Sequence, residues 1–79
     1  MALNRAVALA EVSGPAAGLA ALAENPLPEY QFFQATRANF LARLGRTGEA
    51  AEAYRRALEL TTNEAARKLL AEQLRALVP

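Results

Sequence analysis

The side chains that usually carry enzyme chemistry are almost absent from this sequence. Histidine and cysteine are missing, and all eight acidic residues are glutamates. The Ser-His-Asp and Cys-His nucleophile systems and the His- or Cys-based metal sites are therefore excluded. Carboxylate pairs such as Glu49 and Glu52 fall on a solvated helix face beside arginines, which favours surface charge over acid–base catalysis. The sequence predicts a non-catalytic protein without a cofactor.

The glycines do not form a phosphate-binding loop. Gly45 and Gly48 enclose only two residues, and no lysine follows them as it does in a P-loop. Together with Gly14 and Gly18 they are better explained as turn or packing glycines.

Charge and hydropathy exclude two further classes of partner. Nine basic and eight acidic residues leave a net charge of +1, without the clustered basic face typical of nucleic-acid binding. No apolar run approaches the ~20 residues that a membrane span needs, and the start lacks the pattern of a signal peptide. We expect a cytoplasmic protein that contacts neither nucleic acid nor membrane directly, with residues 1–79 forming one domain.

Composition predicts an all-α fold. The chain is 53% hydrophobic but only 6% aromatic, so its apolar content is mostly Ala and Leu, which favour helix. The breaks between apolar-periodic stretches predict five helices, at about residues 3–12, 15–24, 29–44, 47–60 and 64–77.

The helix ends carry recognisable signals. Ser13 is expected to cap the second helix, and Thr47 the fourth. Pro26 and Pro28 end the second helix, and Gly45 is expected to cap the C-terminus of the third.

One stretch, L-G-R-T-G-E-A-A-E-A-Y-R-R-A-L-E-L (Leu44–Leu60), indicates how the helices pack. Ala50, Tyr54 and Ala57 follow the pattern A-x-x-x-aromatic-x-x-A, which is typical of the second helix of a tetratricopeptide (TPR) hairpin. Hairpins of this kind bind other proteins. The interpretation is a TPR-like stack in which helices 1 and 2 pair, helices 3 and 4 pair, and helix 5 covers the end.

Helix 3 carries a charge within its apolar arc. Arg37 lies among the apolar residues, which are Tyr30, Phe33, Phe40, Leu41 and Leu44. A buried unpaired guanidinium is costly, so we expect Arg37 to pair with a carboxylate or with helix-end carbonyls, and Glu11 of helix 1 is the first candidate carboxylate. The other interpretation is that Arg37 binds a ligand carboxylate, as in a small-molecule sensor.

Phe32 falls outside this arc. In a TPR hairpin the first helix lines the concave surface, which would place Phe32, Ala35, Asn39 and Arg43 on a groove. Phe32, Asn39 and Arg43 are therefore candidate partner-binding residues. Packing of Phe32 against the loop at residues 26–28 is the alternative.

Helix 1 is apolar nearly all round, as a helix buried on every side would be. As the first helix of a small stack it should nevertheless have one free flank, which would leave apolar surface among Leu3, Val7 and Val12 exposed to solvent. We expect this flank to meet either the rest of a longer protein or a second copy, giving a homodimer through helix 1.

Two segments resemble a known family. They are L-N-R-A-V-A-L-A-E-V-S-G-P-A-A-G-L-A-A-L (Leu3–Leu22) and A-T-R-A-N-F-L-A-R-L-G-R-T-G-E-A-A-E-A-Y-R-R-A-L-E-L-T-T-N-E-A-A-R (Ala35–Arg67). Both resemble the C-terminal TPR-like extension of bacterial extracytoplasmic-function (ECF) RNA polymerase sigma factors. The resemblance implies a regulatory domain that modulates transcription initiation by contacting the rest of the sigma factor, RNA polymerase or a regulator. The alternative is a free-standing TPR-like adaptor that binds a peptide in its groove.

Overall fold

The computed structural model describes residues 2–77, with side chains from residue 3. Within that range it consists of helices and connecting turns and has no strand, which confirms the all-α prediction. The five helices are α1 (Ala2–Ser13), α2 (Pro15–Glu24), α3 (Gln31–Arg43), α4 (Thr47–Leu60) and α5 (Glu64–Leu77).

The helix bounds follow the sequence signals closely, and α3 differs most. It begins at Gln31 rather than at Glu29, because the backbone N–H of Tyr30 donates to the carbonyl of Leu27 at 3.0 Å and closes a turn. Tyr30 itself is extended, with φ −98° and ψ 121°. Glu29 therefore belongs to the connecting loop.

Two predicted N-caps are wrong. Ser13 lies inside α1, and Gly14 precedes α2 with φ 94° and ψ 167°, a conformation essentially restricted to glycine. This backbone geometry lets Pro15 start α2 with only Gly14 between the two helices. Thr47 is the first residue of α4, and Arg46 holds the cap position without a side-chain hydrogen bond to the helix.

The predicted end of α3 at Gly45 is confirmed as a Schellman motif. Gly45 has φ 78°, its N–H donates to the Ala42 carbonyl at 3.1 Å, and the Arg46 N–H donates to the Leu41 carbonyl at 2.9 Å. A side chain at Gly45 would be strained in this conformation. The turn reverses the chain in three residues, so α4 returns along α3.

The helices form two hairpins and a final helix. α1 packs on α2 and α3 on α4; α1 and α2 both contact α3, and α5 packs chiefly on α4. Such short links between packed helices make each pair antiparallel.

Two hydrophobic clusters result. The first joins α1, α2 and α3 through Ala6, Ala10, Ala21, Leu22, Phe33 and Phe40. The second joins α3, α4 and α5 through Ala38, Leu41, Ala50, Ala53, Tyr54, Ala57 and Leu70.

The stripe of Ala50, Tyr54 and Ala57 is packing, as the sequence predicted, since all three side chains are buried in the second cluster. Small residues let α4 lie close to α3, and the Tyr54 ring fills the space between them. Burial also raises the pKa of the Tyr54 phenol.

Gly18 marks the closest approach of three helices. A Cβ atom at this position would lie 2.7 Å from Phe40 Cε2 and 2.8 Å from Ala10 Cβ. Glycine therefore allows α2 to pack tightly against both α1 and α3 in the first cluster.

Candidate partner-binding groove

An open groove of about 450 Å³ runs between α1, α3 and α5. We call it the α1–α3–α5 groove. Its walls are formed by Val7, Ala10 and Glu11 of α1, by Gln31, Phe32, Ala35, Thr36, Asn39, Phe40 and Arg43 of α3, and by Ala66, Leu69, Leu70 and Gln73 of α5.

The structure brings the three candidate residues together. Phe32, Asn39 and Arg43 all line the groove, and Ala35 lies between them on the same face of α3. Phe32 is 52% exposed, and its ring meets that of Tyr30 edge-on, with the ring centroids 5.4 Å apart. A half-exposed aromatic pair offers apolar contact area to a partner. That these residues bind a partner stays a prediction.

The sequence missed most of the opposite walls. Helical periodicity places Leu69 in one apolar stripe with Leu70, Leu74 and Leu77, which predicts a core residue, but it is 55% exposed and lines the groove, whereas its neighbour Leu70 is buried. Successive helical residues point about 100° apart, so Leu70 is buried in the second cluster while Leu69 projects to the side of it. Val7 and Gln73 were not identified as groove residues either.

Two opposite charges border the groove. Glu11 stands on α1 and Arg43 on α3, both are exposed, and neither forms an ion pair within the described residues. With amides from Gln31, Asn39 and Gln73, the groove offers apolar contact, hydrogen bonding and one charge of each sign. No group of three potential metal-ligating side chains occurs among residues 2–77.

Polar contacts at the α4–α5 turn fix the position of the α5 wall. Asn63 Oδ1 accepts the Ala66 N–H at 2.9 Å and caps α5. Arg67 donates through Nη1 to the carbonyls of Leu58 and Thr61, the second at 3.2 Å, and so occupies the end of α4. These bonds anchor the first turn of α5 to the end of α4.

The loop before α3 is held by two further contacts. Arg56 of α4 pairs with Glu29 at 2.8 Å and with Glu59 at 2.9 Å. Gln34, which is buried, donates to the Pro28 carbonyl at 3.0 Å. Both contacts anchor the loop and thereby the start of α3, where Phe32 lies.

The predicted pair between Arg37 and Glu11 does not form. Glu11 is exposed rather than buried and lines the α1–α3–α5 groove, whereas Arg37 is half-buried and lines a separate cleft beside α2. The prediction failed because Glu11 lies on the groove side of α1. α3 also presents Arg37 to α2 rather than to α1.

The flank of α1 is uneven. Ala6 and Ala10 are buried, but Val12 is 86% exposed and Val7 is also exposed. The free apolar flank expected from the sequence is therefore present near the end of α1. A homodimer through this surface stays a prediction.

Within the described residues, no helix has the length and apolar character to cross a membrane. No protein-family model matches the chain, and no solved structure matches it. An alignment 65 positions long, which covers 77% of the chain, shows 43% identity to an uncharacterized protein of Rhizobium meliloti (strain 1021). The match spans 15% of that relative, so the relative is more than six times as long as the matched segment.

Proposed function

We propose that this chain is a TPR-like protein-interaction domain that regulates an ECF-type RNA polymerase sigma factor through protein contacts. The α1–α3–α5 groove is the proposed binding surface, and the observation that carries the proposal is the convergence of Phe32, Asn39 and Arg43 in it. No residue of the groove is assigned a catalytic role.

The hairpin packing supports the TPR-like part of this proposal. The first helix of each hairpin and the unpaired fifth helix line one face, which is how concave binding surfaces arise in stacked helical repeats. The exposed Phe32 and Leu69 supply apolar area, and Arg43 and Glu11 supply charges that select a partner's orientation.

The sigma-factor part rests on the resemblance of residues 3–22 and 35–67. A similar segment occurs within a much longer protein of Rhizobium meliloti, which fits a domain that works beside others in one chain. The exposed end of α1 at Val12 would then face the preceding part of such a protein.

The test is a binding measurement with purified components. The fluorescently labelled chain is titrated with core RNA polymerase, and separately with the sigma regions of an ECF factor from the organism that encodes it. We expect saturable binding to one of them. Because groove anchors carry most of the energy of such contacts, Phe32→Ala and Arg43→Ala should each weaken binding about tenfold.

Two matched variants away from the groove are the controls. Arg55→Ala removes an exposed arginine from α4, and Leu27→Ala removes an exposed apolar side chain from the loop. Both should leave affinity unchanged. Unchanged binding by the Phe32 and Arg43 variants would remove the groove from the proposal.

The free-standing adaptor is the second candidate, and the same groove geometry favours it. The absence of binding to both transcription proteins, combined with groove-dependent binding of a peptide, would decide for the adaptor. An upstream coding region for sigma domains in the same reading frame would decide against it.

A further inference from the structure

A second cleft, separate from the α1–α3–α5 groove, lies between α2, the loop at residues 25–30 and α3. Its volume is about 510 Å³, and it shares no lining residue with the groove. Apolar side chains form most of its walls, among them Leu19 and Leu22 of α2, Pro28 of the loop and Phe33 of α3. Gln34, Arg37 and Arg46 supply its polar side chains.

The two arginines differ in their partners. Arg46 is satisfied by Glu49, through Nε to Oε2 at 2.6 Å and Nη2 to Oε1 at 2.9 Å. Arg37 has no hydrogen bond or ion pair to any described residue. Glu49 thus neutralises Arg46 and interacts with Arg37 only through the longer-range attraction of their charges, so one positive charge is left over beside an apolar wall.

The guanidinium of Arg37 is open to an incoming group. Within residues 3–77 no buried side-chain nitrogen or oxygen lacks a hydrogen-bond partner. Because Arg37 has none, its nitrogens must reach solvent. Its half-buried stem packs along the cleft while its head stays accessible, as is usual for long cationic side chains.

We propose that this cleft binds a small amphiphilic carboxylate, whose acid group pairs with Arg37 and whose apolar body lies against Leu19, Leu22 and Phe33. A guanidinium fork matches a carboxylate in two parallel hydrogen bonds. The single unpaired charge also suits a monoanion better than a phosphate monoester, which carries close to two. The proposal is independent of the sigma-factor role, because it uses neither the groove nor a protein partner.

The experiment uses the full chain and four probes. Isotope-labelled protein is titrated with octanoate below its micelle concentration, with octanamide, with acetate and with inorganic phosphate, and NMR shifts are followed. We expect octanoate to bind and to move the signals of Leu19, Leu22 and Phe33. The neutral amide should bind at least tenfold more weakly, because it lacks the charge that strengthens the pair with Arg37.

Matched variants of α3 test whether Arg37 is the arginine that pairs with the carboxylate of octanoate. Arg37→Gln should reduce octanoate affinity at least tenfold, whereas Arg43→Gln, on the same helix but in the other groove, should not change it. Arg37→Lys keeps the positive charge but lacks the paired donors of the guanidinium, so its octanoate affinity should lie between those of wild type and Arg37→Gln.

Several results would overturn the proposal. These are no octanoate binding, equal binding of octanoate and octanamide, an unchanged Arg37→Gln variant, or shifts confined to the α1–α3–α5 groove. Binding of acetate or phosphate as tight as octanoate would mean an adventitious ion only. If Arg37→Gln fails to fold, the comparison of octanoate with octanamide on the wild-type chain still decides.

Discussion

Replacing Gly18 by alanine tests the three-helix contact at the centre of the first cluster. The added Cβ would lie 2.7 Å and 2.9 Å from two atoms of the Phe40 ring and 2.8 Å from Ala10 Cβ. Carbon atoms attract best at about 3.5–4.0 Å, so each contact would be roughly 1 Å too short. Ala10 has no rotamer to change and the Phe40 ring is buried, so the helices must move apart.

Two opposing terms set the size of the effect. Alanine gains about 0.5–1 kcal/mol over glycine in a helix interior, whereas overpacking a close-packed site costs about 1–3 kcal/mol. We expect a net loss of about 1–2 kcal/mol in the free energy of unfolding. For a domain of this size that corresponds to a fall in Tm of about 5–15 °C.

Thermal unfolding followed by circular dichroism measures this change, and Gly48→Ala is its matched control. Gly48 lies in the first turn of α4, and a Cβ there would have no atom within 4 Å. The same chemical change should therefore raise the free energy of unfolding by up to about 1 kcal/mol, and Tm should rise slightly. The two glycines should respond with opposite signs.

A Gly18→Ala variant as stable as wild type would refute the reasoning, because α1 and α3 would then not lie as close to α2 as described. The double variant with Ala10→Gly adds a check on the cause. It removes one of the clashing methyl groups, so its loss should be smaller than the sum of the two single losses.

Three other predictions concern local features. Asn63→Ala removes the cap of α5 and should cost about 1 kcal/mol, measured by urea unfolding, whereas the adjacent exposed Thr62→Ala should cost almost nothing. Burial raises the pKa of Tyr54, so the folded protein keeps this phenol protonated at pH values where the unfolded chain ionises it, and stability should fall as pH rises past 10. Absorbance titration of a Tyr30→Phe variant, in which Tyr54 is the one tyrosine, should show a midpoint above 10. The hydrogen bond from Arg46 lowers the pKa of Glu49, so the stabilisation of the fold by this carboxylate is complete above its ordinary pKa of 4.5 and is lost as pH falls through its folded-state pKa. The difference in Tm between wild type and Glu49→Gln should therefore be present at pH 6 and disappear in acid.

The fold could be read from the sequence largely because local signals agree with one another. Prolines, glycines and helix-forming stretches alternate cleanly, and α2, α4 and α5 have the bounds that these signals indicate. The errors lie at the helix starts. Ser13 and Thr47 are good caps in isolation, but the conformation of Gly14 and the turn at Gly45 place Gly14 and Arg46 at the cap positions of α2 and α4.

The site was only partly predictable, because helix periodicity tells which residues share a face but not which helix that face meets. It placed Phe32, Asn39 and Arg43 together correctly. It could not tell that Arg37 faces α2 instead of α1, nor that Leu69 faces a groove instead of the core. Both depend on how the helices pack, which the local pattern does not contain.

The weak attachment of α5 has a consequence for what the α1–α3–α5 groove can accept. Among the described residues of α5, only Leu70 is buried, and the helix packs chiefly against α4. The floor of the groove, on α3, is held by two hydrophobic clusters, so it is rigid by comparison. The far end of α5 can therefore shift at the cost of repacking Leu70, Leu74 and Leu77, while the α4–α5 turn stays anchored, and ligands of different breadth can be accommodated without disturbing the two hairpins.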